Sequence, residues 1–154
     1  MPLFFLPIAA VVAAQAQPGT ASTTVIYGVL APVCTVEIAT PAAVVSLDIR
    51  GAQSITPVTY HCNDVNGFTR QVSSQNGGAL VRGTQRIGYR ISQDGDAEIA
   101  IADASLAAPI VSTVGGSASV TGTSGMLSIT VPVVPERLLA GDYTDVITIE
   151  ITPN

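Results

Sequence analysis

Two groups of residues could in principle do chemistry, and neither is spaced as a site. His61 is the only histidine and directly precedes Cys62. A thiolate activated by an imidazole is a nucleophile pair. Here Cys62 is assigned below to a disulfide, so no dyad is expected, and His61 reads as a surface-facing strand residue. A Ser-His-Asp arrangement would need a Gly-x-Ser-x-Gly elbow. The nearest candidate, Gly122-Thr123-Ser124-Gly125, reads as a turn. Asp94-Gly95-Asp96-Ala97-Glu98 places three carboxylates close together and could attract Ca²⁺. It lacks the EF-hand spacing and reads as an acidic hairpin turn. Zinc-ligand spacing, a phosphate loop and a paired-carboxylate site are absent from the sequence. The expectation is a protein with no catalytic, cofactor or metal site, and no enzymatic activity.

The elements that carry these residues are strands. Cys34-Thr35-Val36-Glu37-Ile38 alternates, with Cys34, Val36 and Ile38 on one face. Val58-Thr59-Tyr60-His61-Cys62 does the same, with Val58, Tyr60 and Cys62 on the apolar face. Both sulfurs therefore point towards a core from separate strands. In an exported protein, two inward cysteines form one disulfide, and closing a loop of this size stabilises by about 3 kcal/mol in the chain-entropy model. Two buried free thiols are the alternative, and the weaker one in an oxidising compartment.

Export itself is read from the start of the chain. Residues 3–14 are almost continuously apolar and end in Ala14-Gln15-Ala16, a small-x-small cleavage pattern. Residues 1–16 are expected to be a secretory signal peptide, too short to span a bilayer. The segment before the apolar run carries no Lys or Arg. A buried N-terminal strand is the alternative.

Composition agrees with a β protein. Of 154 residues, 47% are apolar and 11% charged, with no Trp and no Lys. That length supports one domain with a real core. Val, Ile, Thr, Ser, Ala and Gly favour short strands and tight turns. A net charge of −5, with six scattered arginines, argues against a nucleic-acid partner. Strands are expected over 23–30, 34–39, 44–49, 55–62, 68–73, 86–92, 98–102, 110–114, 117–121, 127–133 and 143–152. Gly115-Gly116 reads as a hairpin turn. The last strand is the most regular: Tyr143, Ile147, Ile149 and Ile151 point one way, and Thr148, Glu150 and Thr152 the other. Short strands at this spacing make an all-β sandwich or barrel.

Four motifs, in order, carry a family resemblance. They are Cys34-Thr35-Val36; Val58-Thr59-Tyr60-His61-Cys62; Ile87-Gly88-Tyr89-Arg90-Ile91-Ser92-Gln93-Asp94; and Leu139-Ala140-Gly141-Asp142-Tyr143-Thr144-Asp145. Together they resemble the spore coat protein U domain and are similar to subunits of archaic chaperone–usher pili. Two departures are Ile91-Ser92, where the family tends to carry Leu-Tyr, and an ending in Thr152-Pro153-Asn154 rather than an aromatic.

The resemblance implies an immunoglobulin-like β-sandwich lacking its final strand and completed by donor-strand exchange. It implies a structural subunit of a surface pilus, or fimbrium, serving adhesion and biofilm formation. Its partners would be a periplasmic pilus chaperone, an outer-membrane usher and neighbouring subunits, along a route through the periplasm to the cell surface. Residues 17–33 would be the donor extension and 34–154 the sandwich. The acceptor groove would include Ile147, Ile149 and Ile151. The donor strand would comprise Val25, Ile26, Tyr27, Gly28, Val29 and Leu30. Its phase stays open. Bulk favours the face of Val25, Tyr27, Val29, Ala31 and Val33, whereas the family's spacing back from the first cysteine favours Ile26, Gly28, Leu30 and Pro32. The alternatives are a self-contained sandwich, either a secreted coat protein or a glycan-binding adhesin, in which 23–30 is the domain's own first strand.

Overall fold

The computed structural model describes residues 22–116 and 120–154. The expected signal peptide and the return arm of the Gly115-Gly116 hairpin fall wholly or largely outside them. The chain divides into two units, Met1–Leu30 and Ala31–Asn154. In the first, residues 22–30 form neither strand nor helix, and Val25, Ile26, Tyr27, Val29 and Leu30 are all exposed.

The second unit is all-β. Its strands are β1 Cys34–Ile38, β2 Gln53–Cys62, β3 Phe68–Ser74, β4 Ala79–Arg82, β5 Gln85–Gly88, β6 Arg90–Gln93, β7 Ile101–Ala104, β8 Ile110–Val114, β9 Thr123–Thr130 and β10 Ile147–Pro153. A five-stranded antiparallel sheet runs β1-β2-β9-β6-β7, a three-stranded one runs β10-β3-β8, and β4-β5 is a separate hairpin. The inward residues alternate as a half-buried strand requires. In β2 these are Val58, Tyr60 and Cys62; in β9, Leu127 and Ile129; in β3, Phe68, Arg70 and Val72. With Ile87, Ile91, Ile99, Val114 and Val131 they form one core between the sheets.

Arg70 is the exception in chemistry, being 1% exposed. Its Nη1 donates to Gln93 Oε1 (2.9 Å) and to the Ile99 carbonyl (2.7 Å), and its Nε donates to Ser112 Oγ (3.1 Å). The guanidinium also lies 5.6 Å from the centre of the Tyr60 ring. These partners are neutral and come from both main sheets, so the cation is held by dipoles and a π face. Among the described residues, Gln93 Nε2 is buried without a hydrogen-bond partner.

The expected disulfide is present. Cys34 and Cys62 are direct register partners on β1 and β2, bonded across a sequence separation of 28 residues. Reduction, or a Cys34→Ser/Cys62→Ser double substitution, is expected to lower unfolding free energy by about 3 kcal/mol. Urea unfolding with and without reductant measures this; a shift near zero would show that the bond does not constrain the unfolded chain.

Several strand expectations need correction. Residues 23–30 form no strand. Nor do 44–49, although their alternation survives: Val45 and Leu47 pack on the core while Val44 is fully exposed. The expected 86–92 strand is two, because the chain leaves the β4 hairpin at Tyr89, whose N–H bonds to the Gly78 carbonyl (2.9 Å), and joins β9 from Arg90 onward. Residues 98–100 belong to a turn closed by the Ile99 and Ala100 amides on the Asp96 carbonyl, so β7 starts at Ile101. Strand β9 begins at Thr123 and ends at Thr130, before Pro132, so Gly122-Thr123-Ser124-Gly125 enters a strand rather than turning. Gly125 lies so close to β6 that a Cβ there would sit 1.9 Å from the Asp94 carbonyl oxygen. The last strand starts at Ile147; before it, the Gln75 amide bonds to the Val146 carbonyl (2.9 Å) and a bridge pairs Val81 with Thr144.

Candidate functional site: an apolar groove beside the terminal strand

Strand β10 pairs with β3 along one edge, from Ile147 opposite Ser74 to Pro153 opposite Phe68. Its other edge has no strand partner among the described residues. Beside that edge runs a cavity of about 580 Å³. Ile147 and Ile149 form one wall, Ile55, Leu127 and Ile129 the floor, and Ile38, Val45 and Leu47 the far wall. Ile151 lies on the same face of β10 and packs on the core, but does not line the cavity. Of the three acceptor residues expected from the sequence, two are therefore in the groove.

The far wall exists because β1 cannot continue as a ladder. Antiparallel register places residue 39 opposite Pro57, which has no N–H to offer. Ala39 N still donates to the Pro57 carbonyl (3.2 Å), and Thr40 N then turns to the Thr56 hydroxyl (2.9 Å). Pro41 follows, and residues 40–47 run as an unladdered strap along the groove. At the opposite end the sheets close together at Gly67, whose carbonyl accepts from Asn154 N (3.2 Å).

The approach to β10 is rigidly built. The Tyr143 hydroxyl lies 2.8 Å from the Leu139 carbonyl and 2.5 Å from Gln85 Oε1. Gln85 Oε1 also accepts from Leu139 N (3.0 Å). Gly141 sits at φ +138°, and a Cβ there would meet Arg82 Nε at 2.4 Å. Asp145 then accepts four hydrogen bonds: from Ser74 Oγ (2.5 Å) and Tyr89 OH (2.6 Å) at Oδ2, and from Asn76 N (3.0 Å) and Val146 N (2.8 Å) at Oδ1. Burial, and then the Asp145 hydrogen bond, hold the Tyr89 phenol well above its ordinary range, so it remains a protonated donor. The motif containing Tyr89 and the motif ending in Asp145 thus meet in space, 56 residues apart in sequence.

Compared with family models, curated proteins and solved structures, the chain gives no match. The reading of the groove rests on its own geometry.

The residues that could have done chemistry are dispersed. His61 is exposed on β2 and lies over Gly122, where a Cβ would come within 2.3 Å of its ring. The three carboxylates of the acidic turn hold different neighbours: Asp94 Oδ1 accepts from Met126 N (2.5 Å), Asp96 Oδ2 from Thr123 Oγ1 (2.5 Å) and Glu98 Oε2 from Gly115 N (3.0 Å). Their role is to fasten the 94–98 turn to β9 and to the Gly115 loop. Among the described residues, no three His, Cys, Asp or Glu side chains cluster as metal ligands.

Proposed function

We propose that this chain is a structural subunit of a bacterial surface fibre, assembled by donor-strand exchange along a chaperone–usher route. The observation that carries the reading is the open edge of β10 beside an apolar groove. A strand with unpaired backbone groups and a row of apolar pockets is what β-augmentation requires: ladder bonds supply affinity and alternate side chains fill the pockets. The proposed fold is an immunoglobulin-like sandwich without its last strand. The Tyr143 hydroxyl bonding back to the Leu139 carbonyl just before β10 supports it, since such a tyrosine corner marks the corresponding corner of immunoglobulin-like sandwiches.

The donor is residues 17–30, with Val25, Ile26, Tyr27, Val29 and Leu30 as its candidate anchors. Its limit is set by Asn63. Val33 N donates to Asn63 Oδ1 (2.5 Å) and Asn63 Nδ2 donates to the Ala31 carbonyl (3.2 Å), so the chain from Ala31 onward is fastened to its own domain. Each apolar side chain buried in a neighbour's groove contributes roughly 1.5–3 kcal/mol. A donor on one end and an acceptor on the other make a head-to-tail contact that does not close, and so a fibre. A periplasmic chaperone would occupy the groove first, and the usher would present the next donor. Adhesion and biofilm formation follow from such a fibre at the cell surface.

Deletion of residues 17–30 tests the assignment. The truncated chain is expected to fold, to bind its chaperone and to lose all self-assembly. Heat- and detergent-resistant ladders from the truncated chain would refute donation by this segment. Unfolding of the truncated chain with the chaperone present would instead make 23–30 the domain's own strand, favouring the self-contained coat or adhesin reading.

A further inference from the structure

We propose that Gln53 is a positioning residue for the groove: its side chain clasps the strap and sets the wall opposite β10. The inference rests on the reading of the groove as a strand acceptor. Ser46 is the centre of the clasp. Its N–H donates to Gln53 Oε1 (2.8 Å), and Gln53 Nε2 donates to its carbonyl (2.8 Å). One carboxamide thus satisfies both backbone groups of Ser46, as an antiparallel neighbour strand would. The two residues flanking Ser46 are Val45 and Leu47, and both line the groove.

A β-bulge is what brings Gln53 to this position. Register between β2 and β9 shifts between Ser54 and Thr56. Beyond the bulge the inward residues of β2 are the even ones, Thr56, Val58, Tyr60 and Cys62. Before it the half-buried residues are Gln53 and Ile55, and Ser54 is exposed. A regular strand would turn Ser54 inward and point Gln53 to solvent. Bulges commonly re-aim a side chain beside a binding site. Here the extra residue puts Ile55 into the groove floor and Gln53 under the strap.

Besides the packing of Val45 and Leu47 on the core, the strap is held by hydrogen bonds at two points. Thr40 N is fixed by the Thr56 hydroxyl at one end, and Gln53 holds Ser46 near the other. Residues 41–45 between them, Pro-Ala-Ala-Val-Val, belong to no strand and carry no charged group. Without the clasp, Val45 and Leu47 keep only their apolar packing and the wall they form loosens, while the buried residues of the main sandwich core keep their contacts with one another.

The test uses the full-length exported chain and a synthetic peptide of residues 22–30. Wild type is expected to bind the peptide. Gln53→Ala is expected to bind it at least about tenfold more weakly, from the loss of two hydrogen bonds that orient the wall. Its unfolding midpoint should stay within a few degrees of wild type, and its amides at 42–47 should exchange faster. Gln53→Glu keeps the acceptor for Ser46 N but loses the donor to the carbonyl, and is expected to fall between the two. Equal affinity in wild type and Gln53→Ala overturns the role of Gln53 and leaves the acceptor groove standing. A loss of affinity matched by a collapse of the unfolding midpoint in both variants also overturns it, since Gln53 would then be a folding residue. Failure of wild type to bind the peptide overturns the acceptor reading and this inference together.

Discussion

An Ile149→Asp chain is expected to lose about 4 kcal/mol of folding stability and all capacity to accept a neighbouring strand. Ile149 is the most deeply buried residue of β10, at 8% exposure, and its side chain belongs both to the core and to the groove wall. Two losses add. The apolar burial of an isoleucine is worth roughly 1.5–3 kcal/mol. A carboxylate at that site is then desolvated among apolar groove residues, Ile147, Leu127 and Ile129 among them. Glu150→Ala, one residue away on the exposed face, is the control and should change stability by less than about 0.5 kcal/mol. Urea unfolding of the two variants measures the first effect, and detergent-resistant ladder formation the second. An Ile149→Asp chain that folds as wild type and assembles normally would place the acceptor elsewhere.

The second large effect concerns Arg70. Arg70→Ala removes a fully buried side chain, leaves Ser112 Oγ and the Ile99 carbonyl without their guanidinium donor, and leaves Gln93 Oε1 with the Tyr60 hydroxyl (3.1 Å). The cavity and the unsatisfied acceptors together are expected to cost about 3–5 kcal/mol. The converse experiment is more informative. The buried guanidinium has neutral partners, so its desolvation is only partly offset. An Arg70→Met/Gln93→Leu double substitution keeps most of the volume and removes both the cation and the Gln93 amide, while taking away the acceptor of the Tyr60 hydroxyl. It is expected to recover at least about half of the loss seen in Arg70→Ala. If the double variant is no more stable than Arg70→Ala, the lost hydrogen bonds to Ser112, the Ile99 carbonyl and the Tyr60 hydroxyl, rather than packing volume, govern the site.

Both effects arise where local pattern and long-range contact meet, and they differ in how visible they were beforehand. Ile149 announced itself: it sits in an uninterrupted alternation, and alternation needs only the chain's own neighbours. Arg70 shares the parity of Phe68 and Val72, and that parity was the available signal. Charge by itself favours the surface for an arginine. What buries it is a set of acceptors from Gln93, Ile99 and Ser112, and no local rule brings those together.

The sequence by itself determined the all-β class, the inward phase of β1, β2 and β10, and the cysteine pairing. Each follows from period-2 patterning, which is a property of a few consecutive residues. Tertiary structure decided the rest. It decided that 44–49, patterned as a strand, is an unladdered strap, because Pro57 and Pro41 withhold the backbone donors that a ladder needs. It decided that the 86–92 run breaks at Tyr89, whose partners Gly78 and Asp145 are remote in sequence. A bulge in β2 turned Gln53 inward, against the parity of the strand it begins. Whether a strand's second edge is covered or open depends on which strands arrive beside it. That β10 has no strand partner on its second edge among the described residues is therefore a matter of topology, invisible in any window of the chain.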